Sequence, residues 1–64
     1  MNKHTINSMN VVKQANGYGY KVRVSFTMDG SVSVDLFQCF TDAGDFTDAV
    51  KDAESMLNYF LYCV

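Results

Sequence analysis

The chain has no proline and no tryptophan, a single histidine, two cysteines, and only five lysines and arginines. Without proline there is no polyproline spacer or Pro-rich recognition segment. With 48% hydrophobic residues, the composition is that of a folded chain. Cys39 and Cys63 are too few for a secreted disulfide framework, and a reducing cytoplasm keeps such residues as thiols. Zinc needs three or four ligands at paired spacing, and neither CxxC nor HxxxH occurs. His4 stands alone in a polar N-terminal stretch expected to fray and to leave it solvated, so no Ser-His-Asp or Cys-His pair can be assembled. Asn16-Gly-Tyr-Gly19 supplies glycines but no phosphate-binding fingerprint. These absences exclude the common catalytic and metal sets, and the expectation is a non-enzymatic protein without a cofactor. MNKHTINSMN has no signal-peptide core, and the apolar run Tyr59–Val64 is too short to span a bilayer. A soluble, cytoplasmic protein follows as the expectation.

What is present is organised. Sixty-four residues make one domain, covering 1–64, near the size at which a single core is only marginally sufficient. Net charge is −2 but unevenly spread: Lys3, Lys13, Lys21 and Arg23 precede any acid, and all seven acids follow Met28. Such asymmetry marks either two solvated faces or an interaction surface.

Tyr20 to Met28 alternates apolar and polar residues with period two, the pattern of a strand with one buried face. Its inward set is Tyr20, Val22, Val24, Phe26 and Met28. Asn16-Gly17 is the strongest short hairpin signal, and a two-residue turn there pairs Ala15 with Tyr18, Val11 with Val22 and Met9 with Val24. The same logic fails at Asp29-Gly30, where a two-residue turn would set Phe26 against Ser33. A three-residue loop, Met28-Asp29-Gly30, with glycine at positive φ as a G1 bulge, repairs the parity. Phe26 then pairs with Val32, Val24 with Val34 and Val22 with Leu36, and Arg23 falls opposite Asp35.

Helical spacing begins at Phe46 and runs through Ala49, Val50, Ala53, Leu57, Phe60, Leu61 and Val64, with Asp45 as N-cap and Asp48 and Asp52 near the positive end of the dipole. The expected fold is therefore α+β: a three-stranded antiparallel meander, order 1-2-3, with strands at about 6–14, 18–28 and 31–40. One C-terminal helix, at about 46–62, packs on one face in a βββα order.

Two surfaces are left for function. The outer helix face carries Asp48, Asp52, Ser55, Tyr59 and Tyr62, and tyrosines beside acids suit a protein contact. By strand parity the open sheet face carries Ser8, Asn10, Val12, Lys21, Arg23, Ser25, Thr27, Ser31, Ser33, Asp35, Phe37 and Cys39, with Lys21, Arg23, Asp35 and Phe37 as the alternative binding set. Asp48 and Asp52, one helical turn apart, lack the pocket that would make them an acid–base pair.

A sheet backed by a C-terminal helix resembles the layout of DNA-binding domains of the integrase N-terminal type, which implies nucleic acid as an alternative partner. Two cations, one of them paired with Asp35, are few for phosphate-driven affinity. In size, acidity and lack of motifs the chain is similar to accessory proteins of bacteriophages and mobile elements, including host-takeover and anti-CRISPR inhibitors. That likeness implies a small module that inhibits a larger host protein or protein–nucleic acid complex. A structural homo-oligomer, joined at the third-strand edge or Phe37, is the third alternative.

Overall fold

A computed structural model describes residues 3–15 and 17–63. The described chain forms three strands, β1 (His4–Lys13), β2 (Tyr20–Met28) and β3 (Asp35–Thr41), followed by one helix, α1 (Phe46–Tyr62). The sheet is antiparallel in the order β1-β2-β3, and α1 packs on one face, giving the expected α+β, βββα fold. Among the described residues no helix is long and apolar enough to cross a membrane.

The β1–β2 register follows from alternation as expected: Met9 faces Val24 and Val11 faces Val22. The connection is longer than a two-residue turn. Gln14 N–H donates to Gly19 O at 3.1 Å, and Gly17 N–H donates to Gln14 O at 3.0 Å. Gly17 has φ +83, a left-handed conformation that glycine adopts without a Cβ clash. Asn16 lies outside the described residues. At the far end of β1 the register shifts between Ile6 and Ser8, leaving Asn7 as an extra residue. That bulge turns Ile6 and His4 inward, to Phe26 and Met28, so β1 begins earlier than strict alternation predicts, and His4 is ordered within it.

The β2–β3 register differs from the expected one by three residues. Val22 faces Cys39, Val24 faces Phe37 and Phe26 faces Asp35. The chain does turn at Asp29-Gly30: Ser31 N–H donates to Met28 O at 3.0 Å, and Gly30 carries the anticipated positive φ, +83. It then continues as a loop through Val34, held locally by Ser33 N–H donating to Ser31 Oγ at 3.1 Å. Val32 and Val34 are consequently exposed, Val32 completely, rather than lying under the helix.

An odd shift exchanges the two faces of a strand. Phe37 and Cys39 therefore pack against the core, whereas Leu36 and Phe40 point outward. The expected Arg23–Asp35 pairing is replaced by Arg23 opposite Gln38. The physical reason lies in Gln38 and Thr41. The shorter loop would set Gln38 opposite Tyr20, pointing its amide into the core with no partner, which costs about 1–3 kcal/mol. The observed register turns Gln38 out and brings Thr41 in, where it has partners.

The helix is built as its spacing requires. Asp45 caps it, accepting from Asp48 N–H at 2.9 Å. Ala49, Ala53 and Leu57 are fully buried, Ala53 and Leu57 in one cluster with Val22, Val24 and Phe26. Phe46 and Phe60, expected in the core, sit largely exposed on the flanks of this stripe. Val64, the last residue of that pattern, is outside the described residues.

Candidate functional site

The outer face of the sheet is covered by no element of the described chain, and register orders it into rows. Val12, Lys21 and Phe40 form one row. Asn10, Arg23 and Gln38 form the next, and Ser8, Ser25 and Leu36 the third. Leu36, Phe40 and Val12 are 72%, 57% and 52% exposed. They surround Arg23, which is exposed, and the rows contain two cations and no acid. A shallow hollow lined by Ser8, Asn10, Arg23, Ser25 and Leu36 lies at the centre. Its floor is fixed by side-chain bonds along one side: Ser8 Oγ and Ser25 Oγ are 2.7 Å apart, and Asn7 Nδ2 donates to Thr27 Oγ1 at 2.8 Å.

This face loses five of the positions that alternation predicts: Ser31 and Ser33 lie in the loop before β3, and Asp35, Phe37 and Cys39 are displaced by the register. Phe37 belongs to the other side, where its ring lies 5.3 Å from that of Phe60. Cys39 also faces the helix, correcting the expectation that it points away. Burial pushes its thiol above the ordinary range, and the nearby charge of Asp52 adds to the effect. Asp35 sits at the start of β3 opposite Phe26, out of the rows. Leu36, Gln38 and Phe40 take their places. Large apolar residues stand on both parities of Leu36-Phe37-Gln38-Cys39-Phe40, and within that stretch Gln38 alone marks which side is out.

On the helix, the proposed acidic face is divided. Asp52 is half-buried and accepts from the Thr41 hydroxyl at 2.8 Å, while Thr41 Oγ1 accepts from Ala43 N–H at 3.0 Å. Asp52 thereby ties the end of β3 to the helix instead of standing in solvent beside Asp48. The Tyr62 hydroxyl shares a 2.7 Å hydrogen bond with His4 Nδ1, and the His4 ring also meets Phe26 edge-on at 6.2 Å. That contact locks β1 to the last turn of α1. Asp48, Ser55 and Tyr59 remain free of side-chain bonds among the described residues and exposed, Tyr59 at 69%.

Where β3 ends, an open groove of about 420 Å³ runs between Phe40, Thr41 and Met56, with Gln14, Tyr18 and Asp42 at its rim. Its lining pairs no nucleophile with a base. Among the described residues no cluster of three or more histidine, cysteine or carboxylate side chains could hold a metal ion. Cys39 and Cys63 are free thiols. No family model, curated protein or solved structure matches the chain.

Proposed function

We propose that the chain is a non-enzymatic protein-binding module that meets a larger partner through the outer face of its sheet. The observation that supports this reading is the set of rows in which exposed Val12, Leu36 and Phe40 surround Lys21 and Arg23. A chain of 64 residues has little apolar surface to spare from its core, and an apolar patch rimmed by polar groups marks an interaction site. The fitting partner surface is acidic, with apolar anchors for the two ends of the face. The helix offers less, because Asp52 and Tyr62 are engaged by Thr41 and His4. Inhibition by occlusion, as phage or mobile-element accessory proteins practise it on host proteins in the cytoplasm, is the concrete form of this reading.

Affinity capture from the native host with mass spectrometry identifies the partner, and variants then locate the contact. Phe40→Ala and Arg23→Ala weaken binding about tenfold each, while Asp48→Lys and Tyr59→Ala leave it unchanged. The reverse pattern would place the contact on the helix and overturn the proposal.

A nucleic-acid reading of the same face is favoured by one observation: Arg23 stands opposite Gln38, not Asp35, so its charge is not neutralised across the strands. Two phosphate contacts imply a log–log salt slope no steeper than about −2. A gel shift at low salt that Lys21→Ala and Arg23→Ala both remove supports it, and no shift dismisses it.

A further inference from the structure

The two edges of the sheet are unlike. β1 carries Lys13 and a bulge at Asn7, both devices that discourage strand addition. β3 is an unbroken seven-residue edge with no lysine, proline or bulge. It is also flanked by apolar side chains on both faces. Leu36 and Phe40 project on the outer side. On the helix side, Phe60 lies over Phe37 and Met56 faces the groove beside Phe40 and Thr41, and both are exposed.

The geometry points to a second copy of this chain as the occupant of that edge, with β3 pairing antiparallel to its own equivalent about a two-fold axis at Gln38. Such an axis, perpendicular to the sheet, pairs only residues that share a face, which restricts the registers. The register centred on Gln38 sets Leu36 of one copy opposite Phe40 of the other, and Phe37 opposite Cys39. Asp35 then faces Thr41, so no like charges meet. A register centred on Phe37 instead faces Asp35 with Cys39 and Leu36 with Gln38. One centred on Cys39 faces Phe40 with Gln38. Only the Gln38-centred register matches apolar with apolar at every apolar position and uses the whole strand. The same axis sets Phe60 of one helix beside Met56 of the other, covering the two exposed flank residues. The product is a six-stranded sheet with both helices on one side and two outer faces made continuous. This inference goes beyond the sheet-face reading and stands or falls separately from it.

At the axis Gln38 faces itself, which gives a specific test in the full chain. Sedimentation velocity from micromolar to millimolar concentration should show a reversible monomer–dimer equilibrium. Gln38→Lys and Gln38→Glu, each placing like charges directly opposite, should raise the dissociation constant at least about threefold. An equimolar mixture of the two should restore association to the wild-type level or tighter. Amide exchange of the unmodified chain gives a readout independent of any variant: β3 amides gain protection with concentration, and β1 amides do not. A monomer at all concentrations, a dimer indifferent to both substitutions, a mixture no tighter than either variant alone, or β3 amides unaffected by concentration would overturn it.

Discussion

The Thr41 hydroxyl donates to Asp52 Oδ2 at 2.8 Å, joining the last residue of β3 to the second turn of the helix. Thr41 is the one buried polar residue among those described, and its oxygen also receives Ala43 N–H. One side chain thus holds strand, loop and helix together. Thr41→Val keeps the shape and removes both bonds, leaving Asp52 and the Ala43 amide without that partner. The expected loss is about 1–3 kcal/mol, read from urea denaturation. Asp48→Ala, which removes an exposed first-turn carboxylate at the positive end of the helix, should cost less, about 0.3–1 kcal/mol.

Two glycines with the same backbone sign should respond differently. Gly19 has φ +76, and a Cβ there would lie 2.2 Å from Thr41 O. Gly30 has φ +83 with nothing within 4 Å. Gly30→Ala should therefore cost only the left-handed penalty of about 1–2 kcal/mol. Gly19→Ala adds a backbone clash at the edge of the β2–β3 pairing, and its midpoint of thermal unfolding should fall well below that of Gly30→Ala.

Cys39 and Cys63 should separate chemically. Cys39 is half-buried with its thiol held above the ordinary range, and Cys63 is exposed. Alkylation at mildly alkaline pH, followed by peptide mass mapping, should label Cys63 first. The folded state favours the protonated Cys39 thiol, so its contribution to stability is full below the unfolded thiol pKa of about 8.5. It is lost as pH rises from there through the higher folded value. Cys39→Ala should flatten that alkaline decline.

Phe37 and Phe40, three residues apart, should report opposite environments. Phe37 is half-buried against Phe60 and the core, so Phe37→Ala should cost about 2–3 kcal/mol, somewhat less than a fully buried phenylalanine. Phe40→Ala should cost under about 1 kcal/mol while weakening partner binding. Equal losses in denaturant would argue against this placement of the faces.

The contrast between the hairpins shows what the amino-acid pattern can carry. β2 is apolar on one parity only, and Met9 and Val11 match it across β1, so register and core side follow from alternation. The helix was legible for the same reason, with Asp45 and the spacing of Ala49, Ala53 and Leu57 marking cap and stripe. In β3 both parities carry large apolar residues with Gln38 the lone polar marker between Leu36 and Phe40, and Ser31-Val32-Ser33-Val34 mimics a strand that is in fact a loop. The apparent Arg23–Asp35 match, worth at most about 1 kcal/mol, pulled the expected register the wrong way. The decisive terms were polar ones, an outward Gln38 and an inward Thr41. The Asn7 bulge was illegible too, since strict alternation would point Asn7 and Thr5 inward where Ile6 and His4 lie. The site inherited these errors directly: Phe37 exchanged places with Phe40, and Asp52 became a structural partner of Thr41.

The β2–β3 register fixes which side chains form the outer face, and cross-strand nuclear Overhauser effects measure it directly. The account predicts backbone contacts between Arg23 and Gln38 and between Val24 and Phe37. Contacts between Arg23 and Asp35 and between Val24 and Val34 would contradict it, returning Phe37 to the outer face and removing the basis of the proposed binding surface.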